Sequence, residues 1–452
     1  MVQEKIEKVA GAPAAVLDQA ITLSKQIGNQ QHIKRGRQYW ENLGPGWTTG
    51  ASDDDPSGIA TYSQAGATYG FQLLWLSAFT FPLMAVVQEM CARIGLVTGR
   101  GLAANIRDHM PRWVLYISTI LLLIANIFNI GADLGAMSRA VMLLTPGFSF
   151  GTLVLGFTIL SLALQIFIPY DRYARYLKFL ALVLFSYVLT ALIIGLNWKA
   201  ILAKAFIPSL TFSKDQIILV CGVLGTTISP YLFFWQTSQE VEEGIMRQKI
   251  MPKLKSGATP QNIKNMRIDV WTGMFVSNLI MFFIIVVCGA ILFSNGVTNI
   301  KTSADAATAL RPLAGQNAYL LFTLGIIGTG LLAVPILAGS ASYALSESFG
   351  WANGLHRELK EANAFYGVII IAMIIGLGIN FVGLDTIKAL IYSAVLNGLV
   401  APVILVMIVL LSANKKIMGE HVNHKFITGL GWLITAIMIL AGIGAIVSPF
   451  LS

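Results

Sequence analysis

Charge is what this sequence has least of. Only 12% of the 452 residues are charged, whereas an average soluble domain carries about 25%. With 56% apolar residues and a mean hydropathy of +0.71, a disordered chain and a water-soluble enzyme are both excluded. Cysteine is scarce too. Cys91, Cys221 and Cys288 each lie in an apolar stretch without CxxC or Cys/His spacing, which leaves no disulfide framework and no zinc site. Histidine occurs five times (His32, His109, His356, His421, His424), always in the tail or in loops. There is no nucleophile–base set, metal-ligand cluster or phosphate loop, so the reading is not an enzyme, with no cofactor. The net charge of +9 does not point to nucleic acid, because the basic residues sit in short loops between apolar runs. The bilayer is the expected partner.

Apolar windows long enough to cross a bilayer, about 20 residues each, fall at 44–70, 71–96, 115–143, 150–170, 178–198, 216–242, 268–294, 318–346, 364–382, 386–411 and 426–449. Eleven spans are expected, preceded by a polar tail over 1–42 that lacks a signal-peptide pattern. Sorting lysine and arginine by side puts 24 of the 31 on the side of the tail. The positive-inside rule then sets a cytoplasmic N-terminus and an extracellular C-terminus in the cell membrane.

Two spans are unlike the rest. The first reads Gly44-Pro45-Gly46, then Thr48-Thr49-Gly50-Ala51-Ser52-Asp53-Asp54-Asp55-Pro56-Ser57-Gly58; the sixth reads Gly222, then Gly225-Thr226-Thr227-Ile228-Ser229-Pro230. Glycine and hydroxyl residues lead to a proline near mid-span, where a helix cannot run on smoothly. They are five spans apart and so run in opposite directions. Two proline kinks would give the same signal. An inverted repeat with broken helices meeting at the midplane accounts better for the matched positions and the three carboxylates. The expected fold is all-α, LeuT-like, with repeats over about 43–198 and 216–411 and an extra helix over 426–449 in one transporter domain, 43–452.

Carboxylates deep in a membrane are costly and functional. Asp55, directly before Pro56, is the first candidate for a metal ligand. Asp54 and Asp53 point to other faces, one an accessory charge and another solvated in the entry path. Thr226 offers its carbonyl, and Ser229 its hydroxyl or carbonyl. Every donor is oxygen, which suits a hard cation such as Mg²⁺, or Mn²⁺.

The run from Gly44 to Gly101 contains Asp55-Pro56-Ser57-Gly58, Gln64-Ala65-Gly66-Ala67, Gln72-Leu73-Leu74-Trp75 and Ala92-Arg93-Ile94-Gly95. With Asp133-Leu134, the sixth span and the Leu332–Gly350 region, it resembles the NRAMP family of divalent metal transporters over most of the chain. The resemblance implies alternating access around one metal ion. Departures from the family pattern are specific. Ser57 and Gly58 replace the family's glycine and liganding asparagine, while Ser229, Pro230 and Tyr231 stand where it has Met-Pro-His. The soft thioether is gone, and Gly58 and Ser229 imply a wider pocket. These changes resemble the NRAMP-related magnesium transporter branch. Gln236 takes the place of a second histidine, Gly135-Ala136 that of Ala-Glu after Asp133-Leu134, and 364–382 lacks the family's paired arginines. Uncoupled, voltage-driven Mg²⁺ uptake by a monomer is the expectation, with Mn²⁺ also carried. Proton-coupled Mn²⁺/Fe²⁺ transport and amino-acid transport on the same fold are the alternatives.

Other polar residues stay open. Glu89 and Arg93 form a structural ion pair or a gate. Asp133 lines the path or bonds a neighbouring span. Asn397, before Pro402, holds water around the ion or packs helices. Glu240, Glu242 and Glu243 read as solvated charge at a helix end.

Overall fold

The computed structural model describes residues 44–168, 182–250 and 258–450. The expected tail 1–42 and the basic loop at 172–178 lie outside them. All regular structure among the described residues is helical. The longer helices are α1 (Pro45–Asp53), α2 (Pro56–Tyr69), α3 (Trp75–Thr98), α4 (Leu102–His109), α5 (Arg112–Leu144), α6 (Phe150–Phe167), α7 (Phe185–Ile193) and α8 (Trp198–Phe206). They continue with α9 (Lys214–Thr227), α10 (Pro230–Ile250), α11 (Pro260–Ile291), α12 (Ala318–Phe349), α13 (Asn363–Ile379), α14 (Thr386–Ser412) and α15 (Lys425–Val447).

Eight helical stretches among the described residues are long and apolar enough to cross a membrane, and Leu182–Ile193 and Asn363–Ile379 are shorter apolar helices. The expected window 178–198 starts outside the described residues. Window 44–70 is two helices, α1 and α2, and window 216–242 divides into α9 and α10.

Both breaks follow from proline chemistry. The residue before proline is driven out of the helical region, and Asp55 accordingly lies at φ −68°, ψ 171°. From there its carboxylate caps α2 while Pro56 fills the first helical position, where a missing N–H costs nothing. At the second break the last turn of α9 leaves carbonyls without helical partners. The Ser229 hydroxyl donates to two of them, Thr226 O at 2.6 Å and Gly225 O at 3.1 Å.

α11 packs along α1, α2 and α3, while α5 packs against α12 and α14. The α1–α11 contact is backbone on backbone. A β-carbon on Gly50 would overlap the Gly273 backbone, and one on Gly273 would overlap that of Gly46. A second glycine contact joins α9 to α14, where Gly225 meets the Gly398 backbone beside Asn397.

Candidate metal-transport site

The three aspartates at the first break are all buried, which corrects the expectation that one of them is solvated, and Asp55 and Asp53 reach different neighbours. Asp55 Oδ1 accepts from the Gly58 amide at 2.7 Å and the Ser57 hydroxyl at 2.8 Å. Its Oδ2 accepts from Asn129 Nδ2 on α5 at 3.0 Å. Asp53 turns toward α11, where Oδ2 accepts from the Ser277 hydroxyl at 2.6 Å, and its Oδ1 is unpartnered. Neither oxygen of Asp54 has a partner, and neither does either oxygen of Asp133 on α5.

No lysine, arginine or histidine among the described residues pairs with any of these four carboxylates. Buried ionised carboxylates without a counter-charge are costly. A cation bound beside one of them would relieve that cost.

The second break supplies more oxygen. A β-carbon built on Gly58 would sit 3.1 Å from Thr226 Oγ1, 3.3 Å from the Asp53 carbonyl oxygen and 3.4 Å from Asp55 Oδ1. Three oxygens from both broken helices therefore converge on the bare face of Gly58, and a longer side chain there would crowd them. Asp55, Gly58 and Thr226 are brought together, Thr226 through its hydroxyl; its carbonyl, the expected donor, accepts from the Ser229 hydroxyl instead. Ser229 stands behind them, its hydroxyl turned back onto α9.

Tyr231 and Gln236 serve α1. The Tyr231 hydroxyl donates to Ser52 O at 3.1 Å. Gln236 accepts from the Thr49 hydroxyl at 2.6 Å and donates to Glu240 at 2.9 Å, so both ends of its amide are engaged. Asn397 is buried with neither amide atom partnered. The fold adds Asn129, Ser277 and the Tyr62 hydroxyl, which meets Thr227 Oγ1 at 3.1 Å, to the surroundings of the two breaks. Asn129 did leave a signal, because it lies one helical turn from Asp133 in an otherwise apolar stretch.

Away from the site, Glu89 pairs with Arg93 and also accepts from Arg267 at 2.9 Å and Trp271 Nε1 at 2.8 Å. The expectation of solvated charge at the end of the sixth span is corrected for two residues, since Glu240 and Glu242 are both buried and lie inside α10, which runs on to Ile250. Glu242 accepts from the Tyr343 hydroxyl at 2.7 Å and lies 2.6 Å from His356 Nδ1. A carboxylate with partners arranged around it has no need of bulk water.

Apolar helices in this number, two of the expected spans being broken before a proline and one break carrying buried carboxylates, are those of a multi-pass membrane protein. The Nramp family model, "Natural resistance-associated macrophage protein-like", matches residues 46–448, and the chain belongs to that family. Curated relatives include the divalent metal cation transporter MntH of Aeromonas hydrophila subsp. hydrophila, 28% identical over 88% of this chain and 93% of the relative. MntH of Klebsiella pneumoniae subsp. pneumoniae is 26% identical over 88% and 91%. Among solved structures, the manganese transporter of Eremococcus coleocola superposes with a TM-score of 0.71 at 19% identity, covering 91% of this chain and 87% of that one. Mhp1 in its inward-facing conformation gives 0.52 at 14% identity over 90% and 91%. The fold is LeuT-like. The chain is a divalent metal transporter rather than an enzyme, and metal is its cargo rather than its cofactor.

Proposed function

We propose that this transporter imports Mg²⁺, and Mn²⁺ as a second substrate, by alternating access without moving protons. The observation that carries the reading is the all-oxygen convergence of Asp55, the Asp53 carbonyl and Thr226 on Gly58. Mg²⁺ is a hard cation that holds its waters tightly and binds through few carboxylates. A soft thioether would select transition metals, and Ser229 occupies the position where the family pattern has methionine. Asp54 completes the acidic wall, with Asp133 and Asn397 lining the path. The magnesium-transporting branch of the family is therefore the assignment.

Absence of coupling rests on the missing relay. Gln236 does not titrate, Gly135-Ala136 carry no acid, and α13 contains no charged residue. We read the chain as eleven spans in two inverted repeats, monomeric, with the N-terminus in the cytoplasm where most basic residues gather. Proton-coupled Mn²⁺ transport is the second reading. One observation favours it, the buried Glu240 carboxylate hydrogen-bonded to Gln236. Uptake of Mg²⁺, Mn²⁺ and Ca²⁺ into proteoliposomes, with lumenal pH recorded together, separates the two. Mg²⁺ entry at constant pH supports the first; proton entry in step with metal overturns it.

A further inference from the structure

α5 carries two buried asparagines three residues apart, and they do different work. Asn126 donates to Leu337 O at 2.9 Å and Ser340 Oγ at 2.7 Å, tying α5 to α12. Asn129 donates instead to Asp55 Oδ2 at 3.0 Å. An ionised carboxylate only accepts hydrogen bonds, so the Asn129 atom facing it is the amide nitrogen, and the carbonyl oxygen points elsewhere. That Oδ1, like the Oδ1 of Asn126, is buried and has no protein partner, so what sets Asn129 apart is that its amide nitrogen holds Asp55. One turn on, on the same face of α5, both oxygens of Asp133 are also unpartnered. Buried oxygens of this kind are normally satisfied by water or a cation.

We infer that Asn129 is a positioning and specificity-determining residue for a hydrated divalent cation. Its N–H fixes the Asp55 carboxylate, and its Oδ1 accepts from a water molecule that the ion carries. This rests on the Mg²⁺ reading above. With the Ser57 hydroxyl and Gly58 amide on Oδ1 and Asn129 on Oδ2, Asp55 is held from three directions. A carboxylate so fixed meets the ion without reorienting. The water-accepting oxygen matters more for Mg²⁺, which dehydrates reluctantly, than for an ion that binds its ligands directly.

The test uses the full chain in proteoliposomes with Mg²⁺ or Mn²⁺ as the only divalent ion, comparing wild type, Asn129→Leu, Asn129→Ser and Asn126→Leu. Loss of a group that orients a metal ligand lowers affinity about tenfold or more. Both Asn129 variants are expected to raise KM for Mg²⁺ by about tenfold, and that for Mn²⁺ by about threefold, with maximal rate and metal-free melting temperature near wild type. Asn126→Leu is expected to lower the melting temperature and leave the Mg²⁺/Mn²⁺ preference unchanged. An unchanged KM in both Asn129 variants overturns the inference. So does an equal loss for both ions accompanied by a drop in melting temperature, which would make Asn129 a packing residue like Asn126. A wild-type protein that carries Mn²⁺ but not Mg²⁺ overturns the Mg²⁺ reading itself, and this inference with it.

Discussion

Asp269, on α11, caps the start of α1: its carboxylate accepts the Gly46 amide at 2.7 Å and, beside it, the Trp47 amide at 3.1 Å. The first broken helix is thereby tied at its beginning to the long helix it lies on. At its other end, Asp53 bonds Ser277 of the same helix. α11 thus holds both ends of α1 while the site forms at the break.

Removing a helix cap costs about 1–2 kcal/mol. Asp269→Ala is therefore expected to lower the melting temperature in detergent and to reduce uptake. Asp269→Asn keeps one acceptor and is expected to fall between the two. Equal melting temperatures for Asp269→Ala and wild type would remove this tether from the account.

Asp55→Ala takes away the carboxylate that both breaks face, together with the cap of α2. Uptake of every divalent ion is expected to fall at least about 100-fold, beyond the roughly 10–100-fold loss that follows removal of a ligand's supporting partner. Isothermal titration with Mg²⁺ checks whether binding falls with it. Retained Mg²⁺ uptake would refute the ligand assignment.

On the proposed reading, the oxygen-lined face of Gly58 sets ion choice. Gly58→Asn crowds Thr226 Oγ1 and the Asp53 carbonyl, while Ser229→Met adds a soft donor that favours transition metals. The double variant is expected to reverse the preference from Mg²⁺ toward Mn²⁺ in competition uptake. Preference for Mg²⁺ unaltered in a folded double variant would place selectivity elsewhere.

Glu89 compensates the buried Arg93 and also binds Arg267 and Trp271. Breaking a buried pair by deleting one partner costs about 3–5 kcal/mol. Glu89→Ala is expected to express and melt poorly, with an unchanged KM in the protein that does fold. A changed KM at normal stability would instead make this cluster a gate.

The breaks were legible because proline acts locally. Asp55-Pro56 and Ser229-Pro230 each terminate one helix and start another, and the carboxylates before Pro56 marked the candidate site by their place in an apolar span. What sequence could not deliver is which helix supports which residue. Asn129 and Asp55 are 74 positions apart, Ser277 and Asp53 are 224, and Asp269 and Gly46 are 223. No periodicity links such pairs; packing does. Gln236 shows the same limit. Its type carried an expectation about proton handling, while its bonds to Thr49 and Glu240 belong to the folded chain.

The measurement closest to the central claim is the reversal potential of transport in proteoliposomes under imposed Mg²⁺ and pH gradients. An uncoupled carrier of a doubly charged ion shifts by about 30 mV for each tenfold Mg²⁺ gradient. The prediction is that shift, with no response to a pH gradient of one unit. A reversal potential that moves with pH at fixed Mg²⁺ would show protons travelling with the metal and would contradict the account.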